Sequence, residues 1–248
     1  GGEFQSTLGI GNGRIAVDSK GAVYASFAVI HPTLGPLDFL MKAQPNRIVD
    51  FTRELFIAPA DLALDATGNI YLVASTTADD LPVTAGAYQA DRNPGAQSDL
   101  YLAMLDPTAS SLLAATYVGG TRSDIAAGLV VFPQATGVVY VSGSTLSDDF
   151  PVGLSAFQPS HHGAFGYDGF AVGIDLTRMT LLGSTFLGGG RDDVLSDIAI
   201  DHAGKVHVVG QTNSPDFPLA DPWLGRYSDG APITGFLHSF DMVVGTFD

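Results

Sequence analysis

One phrase recurs four times along this chain, and a recurring phrase constrains architecture more than any single residue does. It is an apolar strand, usually closed by Asp, then a short turn ending in Gly, then a second apolar strand. The copies begin Ile15-Ala16-Val17-Asp18, Leu62-Ala63-Leu64-Asp65, Leu129-Val130-Val131-Phe132 and Ile198-Ala199-Ile200-Asp201. After the glycines 21, 68, 137 and 204 they continue as Ala22-Val23-Tyr24, Asn69-Ile70-Tyr71, Val138-Val139-Tyr140 and Lys205-Val206-His207. These glycines are 47, 69 and 67 residues apart.

Unrelated phrases keep the same step. Asp80-Leu81-Pro82, Asp149-Phe150-Pro151 and Asp216-Phe217-Pro218 are 69 and 67 apart, and Arg122-Ser123-Asp124 lies 69 before Arg191-Asp192-Asp193. Each unit resolves into four short strands rich in Val, Ile, Leu, Tyr and Phe, separated by Gly, Asp, Ser and Pro. In the third unit the expected strands are 125–132, 138–143, 170–175 and 181–187. No window keeps a period of 3.6 long enough for a helix. Four-stranded units repeated at a fixed step predict an all-β fold, a β-propeller, and units of about 67 residues are long for stacked solenoid repeats.

The first unit is shorter. From Gly21 to Phe39 is 18 residues, against 33 from Gly68 to Tyr101 and from Gly137 to Phe170. It lacks the Asp-x-Pro segment and ends without Gly-Gly. The run Gln5-Ser6-Thr7-Leu8-Gly9-Ile10-Gly11 is similar to Gly183-Ser184-Thr185-Phe186-Leu187-Gly188-Gly189. The expectation is one propeller domain over 1–248 of four blades, at about 12–58, 59–120, 121–189 and 190–248, the last completed by 3–11. A strand from the N-terminal end would then close the ring and remove exposed edges. The rival is an open arc that pairs with another chain or belongs to a larger ring.

The third unit carries Gly143-Ser144-Thr145, Asp149-Phe150-Pro151, Phe157-Gln158, Asp168-Gly169-Phe170 and Thr185-Phe186-Leu187-Gly188-Gly189. The second carries Ser75-Thr76, Asp80-Leu81-Pro82, Tyr88-Gln89, Asp99-Leu100-Tyr101 and Thr116-Tyr117-Val118-Gly119-Gly120. In these phrases, over most of residues 60–248, the chain resembles the SBBP family of bacterial β-propeller repeats. The fourth unit departs from that pattern, with Trp223-Leu224 in place of Phe-Gln. The resemblance implies fold and a bacterial origin; it supplies no catalytic residues, because the family is defined by its repeat.

Charge narrows the partners. Of the 248 residues, 26 are acidic and 11 basic, a formal charge of -15. Such a surface repels phosphate backbones and anionic lipid, which argues against nucleic acid, and no stretch is long and apolar enough for membrane insertion as a helix. The absence of Cys removes thiol chemistry without fixing a compartment. Few charges and many turns suggest a secreted or cell-surface protein.

Candidate binding residues lie in the loops joining second and third strands, at 77–98, 146–167 and 213–234. Trp223, Tyr227 and Tyr167 among polar neighbours suit stacking on a sugar or anchoring a protein. His161 and His162 are the only His pair, though no third metal ligand is evident beside them. Asp79, Asp80, Asp148 and Asp149 could bind calcium, but repetition favours carboxylates that accept backbone amides in turns, with Pro fixing φ. No cofactor is expected otherwise. Arg122 with Asp124, and Arg191 with Asp193, suggest inter-blade ion pairs, and Asp18, Asp65 and Asp201 suggest turn caps. No Gly-x-Ser-x-Gly elbow or phosphate-binding glycine loop is present. These residues point to a non-catalytic, extracytoplasmic binding or scaffold module for protein or glycan. The alternatives are a lyase or hydrolase acting at the channel mouth, and a structural subunit that oligomerises.

Overall fold

Each turn Gly takes a left-handed backbone that a side chain resists: φ is 81° at Gly21, 87° at Gly68, 86° at Gly137 and 84° at Gly204. The Asp before three of these turns caps them. Asp18 Oδ1 accepts the amides of Lys20 and Ala22, Asp65 Oδ1 those of Thr67 and Asn69, and Asp201 Oδ1 those of Ala203 and Lys205, all at 2.8–3.0 Å.

The structure is a computed structural model that describes residues 13–31, 33–163, 166–201, 203–218 and the strand backbone of 233–240. Among these the chain forms fifteen strands and no helix. β1 (Arg14–Val17), β2 (Val23–His31), β3 (Gly35–Ala43) and β4 (Val49–Leu55) make the first sheet. β5 (Asp61–Leu64), β6 (Ile70–Thr76), β7 (Asp99–Leu105) and β8 (Leu112–Val118) make the second. β9 (Asp124–Val131), β10 (Val138–Thr145), β11 (Asp168–Asp175) and β12 (Thr180–Leu187) make the third. β13 (Asp193–Ile200), β14 (Val206–Thr212) and β15 (Ile233–Phe240) make the fourth, three-stranded among the described residues. Every pairing within a sheet is antiparallel and follows chain order, which is the blade of a β-propeller. The expected closing strand at 3–11 lies outside the described residues.

The sheets stack face to face in order. β1 packs on β5, β5 on β9 and β9 on β13; no comparable packing joins β13 to β1 among the described residues. Alternation assigns each face. Tyr24 and Leu40 of the first sheet pack with Leu62, Ile70 and Leu72 of the second. Tyr71, Val73 and Leu102 on the second sheet's other face pack with Leu129, Val139 and Val141 of the third. Tyr140 and Ala171 pack with Leu195, Ile198 and Val208 of the fourth. Because the second and third sheets are covered on both faces, β7, β10 and β11 are buried along their whole length and, apart from the terminal Asp residues of β7 and β11, read as apolar or small-residue runs.

The shortened first unit is a tight hairpin. β2 and β3 meet at His31 and Gly35, whose φ is 81°, and His31 Nδ1 accepts the amides of Thr33 and Leu34. No long loop intervenes.

The ring three residues after the turn Gly bridges neighbouring turns in the second sheet. Tyr71 Oη donates to Asp65 Oδ2 at 3.0 Å and accepts from the amide of Gly137 at 2.9 Å. His207 replaces it in the fourth sheet with Nε2 3.1 Å from Asp201 Oδ2. The third copy has Phe132 where the others have Asp, and Tyr140 Oη is buried with no partner. We therefore expect Tyr71→Phe to cost about 1–2 kcal/mol in urea unfolding, while Tyr140→Phe is neutral or slightly stabilising.

Candidate functional site

Loops of more than 20 residues without regular structure need side chains to hold them, and these loops have three. Phe150, from the Asp-x-Pro triplet, is buried against Phe170 (ring centroids 4.4 Å) and Phe186 (6.3 Å). Phe217 enters the core between the third and fourth sheets, and Leu81 packs on the core of the first two. The Asp of the triplet was expected to bond amides of its own turn. Instead Asp149 Oδ1 accepts from the amide and hydroxyl of Thr121 at 2.8 and 3.0 Å, and Asp216 Oδ1 from the amide of Gly190 at 3.0 Å. In these two blades the triplet is a tertiary clamp between the loop and the link that enters its own blade from the one before.

The Gln of the Tyr-Gln and Phe-Gln phrases is the second fastening. Gln89 Nε2 donates to Asp99 Oδ2 at 2.9 Å and its Oε1 accepts from Gly119 N at 3.1 Å. Gln158 repeats this with Asp168 Oδ2 (3.2 Å) and Gly188 N (3.0 Å). The same two carboxylates accept loop amides, from Asn93 on Asp99 and from His162 and Gly163 on Asp168.

Asp124 and Asp193, opening β9 and β13, fasten the Gly-Gly links. Asp124 Oδ2 accepts from Gly120 N at 2.7 Å and Ser147 Oγ at 3.2 Å, and its Oδ1 from Thr145 Oγ1. Asp193 Oδ2 accepts from Gly189 N at 2.7 Å and Ser214 Oγ at 2.8 Å. Asp99, Asp124, Asp168 and Asp193 are all fully buried. Burial pushes every one of these carboxyls upward, Asp124 to about 6, with Asp99 adding to the rise at Asp124. Gly119 lets Asp99 and Asp124 approach: a Cβ there would lie 2.9 Å from Asp99 Oδ1 and 2.7 Å from Asp124 Oδ2.

The Arg-Asp ion pairs expected at the blade junctions do not form among the described residues. Asp124 and Asp193 turn inward, whereas Arg122 Nη1 donates to Leu146 O at 2.9 Å. Backbone, not guanidinium, makes the repeated contact: the amides of Arg122 and Arg191 donate to Ser147 Oγ and Ser214 Oγ.

The candidate ligand residues divide. His161 has a buried side chain, Nδ1 3.3 Å from Asp148 Oδ1 and Nε2 3.2 Å from Thr145 O, edge-on to Phe186. His162 is exposed, so the two imidazoles do not converge. Tyr167 is half-buried, and its backbone ties the loop to Asp192 and Asp193 of the fourth blade. Trp223 and Tyr227 lie outside the described residues. Of the proposed calcium ligands, Asp79 pairs with Arg92 at 2.6 Å, Asp148 with His161, Asp149 with Thr121, and Asp80 is exposed. Among the described residues no three His, Asp or Glu side chains gather into a metal site.

Three inner-strand charges escaped the sequence reading: Arg14, Asp61 and Asp197, from the first, second and fourth sheets. Burial raises the Asp61 carboxyl, Arg14 opposing and Asp197 reinforcing the rise. Asp61 accepts the amides of Leu62 and Leu129, both at 2.8 Å, and Asp197 that of Ile198 at 2.8 Å. A charge beside an apolar inner strand was the available signal. A cleft of about 450 Å³ beside Arg14 is lined by Ser26, Asp38 and Ala60 among others.

A carboxyl whose folded pKa lies above its unfolded value favours the fold while protonated. The stability that Asp124 contributes is therefore present below about pH 4 and lost as pH rises through 6. Its loss amounts to about 3 kcal/mol. Asp124→Asn is expected to flatten this part of the pH dependence, measured as the difference in unfolding free energy between wild type and variant from pH 4 to 7.

No protein-family model matches the chain, and no curated protein matches it. Among solved structures, a mutant apocarotenoid oxygenase of Synechocystis aligns with 80% of this chain and 43% of its own, at 10% identity and a TM-score of 0.41. The cobalt-substituted form of that oxygenase aligns over the same shares at 12% identity and a TM-score of 0.38. A glucose dehydrogenase aligns with 92% of this chain and 80% of its own, at 13% identity and a TM-score of 0.36. The chain spans less than half the length of the oxygenase chains with which it aligns.

Proposed function

We propose that this chain is a non-catalytic binding scaffold, acting outside the cytoplasm, whose loop face holds a protein or glycan ligand. The observation that carries this reading is the fastening of the long loops. At two successive blades a loop Gln joins a third-strand carboxylate and a backbone amide of the Gly-Gly link, through Gln89 with Asp99 and Gly119 N and Gln158 with Asp168 and Gly188 N. A loop already fixed in one shape loses little entropy when a ligand docks, so more of the contact energy becomes affinity.

The same face presents something to bind with. Leu154 stands fully in solvent, Phe157 three residues on is exposed, and the same loop carries the exposed carboxylate of Asp148. An apolar projection on a loop that also carries a carboxylate suits a partner surface with both apolar and basic groups. The resemblance to SBBP repeats and the sparse charge support an extracytoplasmic setting. The inward carboxylates favour this reading over channel-mouth catalysis: Asp61, Asp99, Asp124, Asp168 and Asp193 all accept bonds from the blades' own groups.

The test is a screen of the immobilised chain against a glycan array and a panel of purified bacterial surface proteins. Leu154→Arg on the loop face is expected to weaken the selected ligand at least roughly tenfold, the scale of an interface anchor. Lys20→Glu, on the opposite hairpin end, should leave it unchanged. Binding that ignores the loop-face change and follows the hairpin-end change would overturn the assignment.

A further inference from the structure

The four sheets stack by one rule, and among the described residues the rule leaves an interface open. The residue three after each turn Gly faces the following sheet, as Tyr24, Tyr71 and Tyr140 do. The alternate residues of the inner strand face the preceding sheet. At that position Leu62 is 4% exposed, Leu129 6% and Ile198 6%, each covered by the sheet before it. In the first sheet the same position is Ile15, at 69%, followed by Val17 at 59%. Val23, Ala25 and Phe27 continue this face, Phe27 stacking on Phe39 at 5.8 Å. By register, β1, β2 and β3 place no Asp, Glu, Lys or Arg on it.

The opposite end of the stack shows the other half. His207 occupies the Tyr position of the fourth sheet and so marks the face turned away from the third. Val194 and Val209 share that face and are exposed. Among the described residues, then, nothing covers the receiving face of the first sheet or the covering face of the fourth, and β13 is not packed on β1. The first sheet's face is apolar, and exposed apolar surface of this kind marks an interaction site; on the fourth sheet's face Asp197 and Gln211 lie opposite Val209 and Val194.

We propose that the occupant is a second copy of this chain, the fourth sheet of one copy seated on the first sheet of the other, and reciprocally. The contact is head-to-tail and repeats the geometry of the three interfaces inside the chain. Two such contacts join four sheets to four, giving a ring of eight, within the usual range for propellers. The proposal does not depend on what the loop face binds.

Light scattering over a concentration series tests it, with Ile15→Asp/Val17→Asp disabling the receiving face and Val209→Asp the covering face. These side chains are exposed in a single copy, so each variant should keep wild-type circular dichroism and fold. Wild type is expected at twice the chain mass, and each variant alone should dissociate at least roughly a hundredfold more readily. An equimolar mixture of the variants retains one intact contact. It should give the mixed pair in native mass spectrometry with one variant isotopically labelled. A wild type that stays monomeric up to the order of 100 µM, a series growing beyond two copies, or variants that fail to pair when mixed, would each overturn the proposal.

Discussion

A sheet that is apolar on both faces is stable only between two other sheets, and this constraint organises the molecule. Leu100 to Leu105 and Val138 to Val141 are buried without interruption because each strand contributes to two cores at once. No blade can satisfy that alone. The ring residue after each turn then sets direction, since Tyr24, Tyr71 and Tyr140 all face the following sheet. A repeat with a direction has two unlike ends, and Ile15 and Val209 mark them.

Burial of apolar faces leaves polar work at the ends of the strands. Long loops and Gly-Gly links bring many backbone amides into the junctions, and buried amides must find acceptors. Asp99, Asp124, Asp168 and Asp193 supply them. Their carboxyls rise in consequence, because desolvation outweighs the hydrogen bonds they receive. The Asp-x-Pro triplets complete the arrangement, with Phe150 in the core and Asp149 on the preceding link. The hairpin end needs less, and its Asp18, Asp65 and Asp201 bond only their own turns and ring partners.

Much of this was legible in the residues. Strands expected at 125–132, 138–143, 170–175 and 181–187 are found within two residues at each end, because period and turn chemistry are local properties. The Asp turn caps and His207 in place of a Tyr were readable for the same reason. The roles of Asp149 and Asp216 were not: each was given to its own turn, and each bonds a residue 28 or 26 positions earlier. The Arg122–Asp124 and Arg191–Asp193 pairs failed because adjacency in sequence says nothing of which side of a strand is buried. His161 and His162 looked like a pair, yet one is inside and the other in solvent.

The sequence by itself determined the unit: four strands, their order, the turns between them and the number of copies. All of these depend on hydrogen bonds and side-chain alternation within a few tens of residues. Only the tertiary structure decided what each unit's faces meet, which carboxylates lie buried, and which apolar positions remain uncovered. Those depend on contacts across blades, where Leu129 and Ile15 occupy the same place in the repeat and differ only in having a neighbour.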